Sequence, residues 1–229
     1  MRTASLILAA AALLTLTGPA LAAPPAQPVV VELFTSQGCS SCPPADAALA
    51  QVADRDDVIA LSFGVTYWDE LGWKDTFARP EFTARQKAYS RRFGGAPYTP
   101  EVVAGGRADS VGNSKARIEA LIAKTRGPAA ASITTTSGSA TVTAGVAPRA
   151  GADVWLVRYD PRTVRVPVKA GENTGKTLPI RNVVRSLVRL GTWDGSQATF
   201  RYGAAPAGLD SVVIVQSRDG GPILAAARA

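Results

Sequence analysis

The 229-residue chain contains no histidine, and its one methionine is the initiator. Without an imidazole there is no histidine general base and no histidine metal ligand, so serine–histidine and cysteine–histidine mechanisms are excluded. The two cysteines, Cys39 and Cys42, leave too few soft ligands to close a metal shell, and no metal or other cofactor is expected. No segment past the N-terminus reaches the ~18 consecutive apolar residues of a spanning helix. Basic residues exceed acidic ones, 25 against 18 for a net charge of +7. They are scattered, with no basic run and no basic stripe interleaved with aromatics. A soluble basic surface is therefore expected, and nucleic acid is not expected as a partner.

The N-terminus has the form of an export signal. Arg2 supplies a positive start, Leu6 to Leu16 an apolar stretch, and Ala20-Leu21-Ala22 a small-x-small cleavage site. Residues 1–22 are expected to be removed, placing the mature chain in the periplasm or outside the cell, with no membrane association afterwards. Pro24-Pro25-Ala26-Gln27-Pro28 falls within a tether, residues 23–28.

Residues 29–127 read as alternating strands and helices. Val29 to Phe34 is a short apolar run expected to form a buried strand, and Thr35 to Gly38 turns the chain. Helical spacing of Ala45, Leu49 and Val52 predicts a helix from Cys39 to about Val52, and Pro43-Pro44 fits only its first turn. Val58 to Val65 is a second buried strand. Residues 74–93 form a polar helical stretch with Phe77, Phe82 and Tyr89 as its apolar contacts. Tyr98-Thr99-Pro100 leads into Glu101 to Ala104 and the hairpin signal Gly105-Gly106. Ser114 to Lys124 is an amphipathic helix. From Gly127-Pro128 the character changes, and residues 128–229 read as short strands punctuated by Asp160-Pro161, Gly171, Gly191 and Gly220-Gly221, the pattern of a small antiparallel sandwich. Asn182 to Gly191 fits helix spacing, while its β surroundings argue for a strand.

Cysteines three apart at a helix start lie on one face and close a disulfide without large backbone movement. Helix-terminal N–H groups favour thiolate over thiol and lower a cysteine pKa from ~8.5 toward ~3.5–7.5. Cys39 is thereby expected to be the exposed, attacking thiol and Cys42, one turn deeper, the resolving thiol. In the thioredoxin fold, which this order of elements resembles, the proline corresponding to Pro100 is cis and lies against the dithiol, with the residue before it, here Thr99, able to pair with a bound peptide. Thioredoxins also carry a buried acid on the incoming strand, and Glu32 stands near that position with one more residue before the first cysteine. Two readings of Glu32 stand: a proton relay to Cys42 with a raised pKa, or a carboxylate facing solvent at a strand edge.

The stretch Val31-Glu32-Leu33-Phe34-Thr35-Ser36-Gln37-Gly38-Cys39-Ser40-Ser41-Cys42-Pro43-Pro44-Ala45-Asp46 resembles the opening of the domain of unknown function 1223 family, secreted bacterial thioredoxin-like proteins. Tyr67-Trp68-Asp69, Leu71-Gly72-Trp73-Lys74-Asp75, Phe82 to Gln86, Tyr98-Thr99-Pro100, Gly171-Glu172-Asn173, Asn182 to Arg185 and Gly221 to Leu224 extend the likeness over nearly all of the mature chain. The resemblance implies an α/β thioredoxin-like domain, a mixed sheet with flanking helices, followed by the small β-sandwich-like domain. One departure is that the family usually has His and Asp before Tyr-Trp-Asp, whereas here the segment runs Gly64-Val65-Thr66-Tyr67-Trp68-Asp69. Trp68 and Trp73 are expected in core or inter-domain packing rather than as an apolar wall beside the dithiol.

Ala170 to Thr177 satisfies the permissive phosphate-loop pattern. Leu178-Pro179 follows where a long helix is required, so a turn between two strands is expected instead. The function expected is thiol–disulfide exchange with protein or small-molecule thiols and disulfides. A non-enzymatic binding or structural protein with a stapling disulfide is the alternative, followed by a Cu(I)-thiolate carrier. Residues 128–229 are expected to lack chemistry of their own, so that a chain ending near Arg126 keeps its dithiol reactivity. Oligomeric state and redox direction are not legible.

Overall fold

The computed structural model describes residues 27–136 and 138–229; the expected signal peptide, 1–22, and residues 23–26 of the tether lie outside the described residues. The central strand β1 (Val29–Thr35) is buried along its whole length, as a strand covered on both faces must be. It runs parallel to β2 (Val58–Gly64), from Val29 opposite Val58 to Thr35 opposite Gly64. The crossover holds α1 (Pro43–Ala50). After β2 come a 3₁₀ helix (Thr66–Leu71), α2 (Pro80–Phe93), β3 (Glu101–Ala104), β4 (Ala108–Ser110) and α3 (Lys115–Thr125). α2 starts six residues later than the expected residue 74, with Pro80 in its first turn where a missing N–H costs nothing. Gly105 and Gly106, at φ +57° and +62°, make the β3–β4 turn with the two positive φ angles that only glycine adopts freely.

The second half supplies β5 (Ile133–Thr136), β6 (Ser139–Val142), β7 (Ala152–Asp160), β8 (Val164–Pro167), β9 (Thr177–Ile180), β10 (Val183–Trp193), β11 (Ala198–Arg201), β12 (Asp210–Ser217) and β13 (Ile223–Arg228). These strands do not form the separate small sandwich expected. Four of them extend the first half's sheet, giving eight strands in the order β13-β12-β7-β10-β2-β1-β3-β4. The joint is β10 running parallel to β2, with Val183 opposite Ser62. Ser62 N donates to Asn182 O (2.9 Å), and Asn182 Nδ2 donates to Ala60 O (2.8 Å). The physical reason lies in β2, which is buried on both faces and needs a neighbour on its second edge to satisfy its backbone groups. A three-stranded sheet, β11-β6-β5, packs on the extension around Trp193, and β8-β9 form a hairpin of their own.

The faces of β1 separate the molecule's contents. Val29, Val31 and Leu33 pack against Ala45, Ala48 and Leu49 of α1 and against Ile118, Leu121 and Ile122 of α3. Val30 and Phe34 pack on the other face with Phe82 and Tyr89 of α2 and with Val157, Val184 and Ile214 of the extension. Glu32, two residues from each of these, belongs to the α2 face.

Candidate functional site

The chain leaves β1 at Thr35 and turns at once. Gly38 N donates to Ser36 Oγ (3.1 Å) and Cys39 N to Ser36 O (3.1 Å). Cys42 N donates to Cys39 O (3.2 Å), while Cys42 O accepts from Ala45 N (2.9 Å) and Asp46 N (3.1 Å). Cys42 is thus the N-cap of α1, and Cys39 lies one turn ahead of it rather than inside the helix. Pro43 has no N–H and fills the first helical position without leaving a donor unmet. Cys39 and Cys42 are joined by a disulfide, with Cα atoms 5.4 Å apart.

Both cysteines are 0% exposed, so Cys39 is not the more accessible of the two, contrary to expectation. The cover comes from the turn between β8 and β9, residues 171–176. Asn173, itself fully buried, donates from Nδ2 to Gln37 O (3.0 Å) and Cys39 O (2.9 Å). Glu172 Oε2 accepts from Ser40 N (2.9 Å), and Lys176 Nζ donates to Asn173 Oδ1 (3.0 Å). Gly171, at φ +76°, packs so closely that a Cβ there would lie 3.3 Å from Trp73 Cβ. The segment that mimics a phosphate loop is a strand-joining turn seated on the dithiol. The strand-joining turn was legible, but its place over the dithiol was not, because nothing local in a Gly-Glu-Asn turn points to a partner more than 130 residues away.

A buried acid does lie beside the dithiol turn, and it is Asp46. It follows Cys42 by four residues, one helical turn. Thr35 Oγ1 donates to its Oδ2 (3.3 Å), and its Oδ1 has no partner among the described residues. Burial pushes its pKa up to about 8, and the nearby charge of Asp75 acts in the same direction. Asp75 accepts from Gln37 N (2.7 Å), Phe77 N (2.7 Å) and Ala78 N (3.2 Å), fixing the loop that backs Gln37. The signal for Asp46 was present in the sequence: an acid at helical spacing from Cys42, between apolar Ala45 and Leu49.

A carboxyl whose folded pKa exceeds its unfolded value near 3.8 leaves stability complete at low pH. That stability is lost as pH rises from about 4 toward about 8. Asp46→Asn should remove this slope and stabilise the oxidised protein at pH 8 by about 3 kcal/mol, after discounting the full linkage value. Urea unfolding of both proteins at pH 5 and pH 8 reads the effect. Parallel curves for the two would mean that Asp46 is ionised at no such cost.

Thr99 and Pro100 are joined by a cis peptide bond, the isomer expected. Trp68 Nε1 donates to Thr99 Oγ1 (2.7 Å), and a Cβ on Gly38 would lie 3.4 Å from Trp68 Cβ. Half-buried Trp68 therefore spans from the dithiol turn to Thr99 while packing on the α2-face core, which joins the two roles held apart in the sequence reading. Trp73 donates from Nε1 to Gln37 Oε1 (3.0 Å) and packs with Phe77 and Val168.

Glu32 takes neither expected role. It is fully buried on the face opposite α1, with Arg85 Nε 2.5 Å from Oε1 and Arg85 Nη2 3.1 Å from Oε2. The Tyr89 hydroxyl also donates to Glu32 Oε2 and accepts from Arg85 Nη2 (3.0 Å) and Gln216 Nε2 (2.9 Å). Glu32 is a structural anion within a closed network, and the sheet separates it from the CxxC helix.

The sequence matches the family described as "Protein of unknown function (DUF1223)" over residues 30–216. No curated protein matches it. Among solved structures, the crystal structure of protein AGR_C_4864 from Agrobacterium tumefaciens is 32% identical with a TM-score of 0.72, over 90% of this chain and 95% of that one. HBP35 of Porphyromonas gingivalis is similar in fold alone, at 14% identity and a TM-score of 0.57 over 90% of this chain and 76% of that one.

Proposed function

The chain belongs to the DUF1223 family of unknown function, and from its dithiol we propose an exported thiol–disulfide oxidoreductase of thioredoxin-like fold. The observation that carries the reading is the Cys39–Cys42 disulfide set between the end of a central buried strand and the first turn of α1. The parallel β1–β2 pair, the antiparallel β3–β4 pair, and the division of helices (α1 and α3 on one face, α2 on the other) support the fold assignment. Export rests on the signal-like residues 1–22, and an oxidised pair accords with an oxidising compartment.

In the reduced state, Cys39 thiolate attacks a substrate disulfide. Its sulfur bonds to one substrate sulfur, and the other leaves as a thiolate. Cys42 then gives up its proton and attacks Cys39 Sγ in the mixed disulfide. This closes the internal disulfide and releases the second substrate sulfur; two electrons have passed to the substrate. Asp46, one turn from Cys42 and with its pKa raised to about 8, is placed to take or return the Cys42 proton near neutral pH. The partner is a protein or small-molecule thiol or disulfide.

Complete burial of both sulfurs favours one rival, a structural disulfide without turnover. Equilibration of the protein with glutathione buffers separates the two. An exchanging pair should titrate between about −270 and −120 mV, whereas a structural one stays oxidised below about −300 mV. Cys42→Ser should also trap a mixed disulfide on Cys39, and Cys39→Ser should trap none. Resistance of the folded protein to every glutathione ratio would leave the structural reading standing.

A further inference from the structure

We propose that Glu172 selects the redox partner by charge, admitting thiols that carry cationic or neutral groups and disfavouring anionic ones; this rests on the oxidoreductase reading and names its substrate class. The second half of the chain, read from sequence as lacking chemistry, supplies the residue. Glu172 is exposed, and its carboxylate is bonded to Ser40 N, inside the CxxC motif and next to Cys39. The Ser40 N–H lowers its pKa, so it is ionised at neutral pH. Among the described residues it has no ion-pair partner, since the cation on the same turn, Lys176, gives its ammonium to Asn173 Oδ1.

The two contacts that close the turn over the dithiol differ in depth. Asn173 is buried and bonded twice to the backbone at Gln37 and Cys39, while the Glu172–Ser40 contact is exposed and exchanges readily with water. A partner reaching Cys39 displaces the outer contact first, and the Glu172 carboxylate remains within a side chain's length of the attacked sulfur. The step it acts on is defined. A thiolate RS⁻ bonds to Cys39 Sγ as the Cys39–Cys42 bond breaks, and Cys42 departs as a thiolate and takes a proton. A second RS⁻ attacks the R-bearing sulfur, releasing RSSR and the reduced pair. Two thiols are oxidised and one disulfide is reduced.

A fixed negative charge about 7 Å from the substituent of R alters the first step about threefold per unit of charge at a dielectric of ~80, and about eightfold at ~40. Two thiols of similar length and opposite charge, cysteamine and 3-mercaptopropionate, therefore provide the test, with rates expressed per thiolate. Intrinsic nucleophilicities cancel when the native preference is divided by that of Glu172→Gln, which keeps an oxygen for Ser40 N. This quotient should be about tenfold or more at ~10 mM salt, and should fall toward one at ~0.5 M salt, where the Debye length is only a few ångströms. Asn173→Ala should accelerate both thiols equally, because it loosens the cover without changing charge. A quotient within twofold of one at low salt would overturn the assignment of selectivity to Glu172 while leaving dithiol exchange intact. If neither thiol reduces the folded disulfide, yet both reduce it in urea, the oxidoreductase reading falls and takes this inference with it.

Discussion

Arg85→Met is expected to destabilise the protein by about 3–5 kcal/mol, because it leaves the buried Glu32 carboxylate without its counter-ion. Arg85 is about 8% exposed, and its guanidinium also lies over the rings of Phe63, Tyr89 and Trp155 at 6.0, 5.3 and 5.9 Å. A methionine retains the apolar stem but none of the charge. The Tyr89 hydroxyl still donates to Glu32 and accepts from Gln216, and one neutral donor does not compensate a buried anion. Removing both charges, in a Glu32→Gln/Arg85→Met chain, should recover a substantial part of the loss, since neither variant then leaves an unpaired ion. Glu32→Gln alone should leave the rate of dithiol exchange within about twofold of native, provided that the protein is folded under assay, because the sheet lies between Glu32 and α1. Denaturant midpoints check the first two statements and single-turnover thiol exchange the third. A large rate loss in folded Glu32→Gln would restore the relay role that the sequence reading allowed it.

That network shows what local pattern conveys and where it stops. Phe82 and Tyr89 were legible as the apolar contacts of α2, and Arg85 lies between them at helical spacing on the same buried face. A charge on a core-facing helix stripe demands a buried partner. The alternation of β1 likewise puts Glu32 on a core face, so both halves of the ion pair were visible singly. Their meeting was not, because 53 residues separate them and periodicity carries no pairing information. The β3–β4 hairpin and α3 were legible for the opposite reason. Gly105-Gly106 specifies its own turn, and Ser114 caps its own helix by accepting from Arg117 N. β10 was ambiguous for a third reason. Register shifts between Val184 and Ser186 and between Arg189 and Gly191 break its alternation, and a bulged strand read as a one-dimensional pattern imitates helical spacing. Cys39 and Cys42 came from motif, and the cis Thr99-Pro100 bond from the order of elements. Glu172 and Asn173 came from a distant hairpin whose approach only the folded chain reveals.

A chain ending at Arg126 is expected to lose its cooperative fold, the reverse of what a self-contained first half would do. Such a chain keeps α1, α2 and α3 but strips β2 of its neighbour β10, leaving an unpaired edge on a strand buried on both faces. It also removes Val157, Val184, Val212, Ile214 and Ile223 from the core that holds Phe34, Phe63, Phe82 and Tyr89. At about 1.5–3 kcal/mol for each fully buried aliphatic side chain, that loss is about the whole 5–15 kcal/mol by which domains are ordinarily stable. Backbone groups are stranded as well: Ile223 N donates to Gly105 O (2.8 Å), and Asn182 Nδ2 covers Ala60 O. Over the dithiol, Asn173 no longer holds Gln37 O and Cys39 O, so any residual structure would present Cys39 to water. The truncated protein should therefore show no sigmoidal urea transition, rapid proteolysis and, once reduced, cysteines that label at the rate of an unfolded peptide, with a pKa near ~8.5. A more informative partner experiment keeps the sheet and removes only the cover, by replacing residues 169–175 with a two-residue Asn-Gly turn that joins Val168 to Lys176, the pair next to Pro167 and Thr177. That chain should unfold cooperatively and, with both proteins reduced, label Cys39 faster than native. Sigmoidal unfolding of the Arg126 truncation, with native protection of Cys39, would mean that the first half folds alone and that the eight-stranded sheet is an association of two independent units.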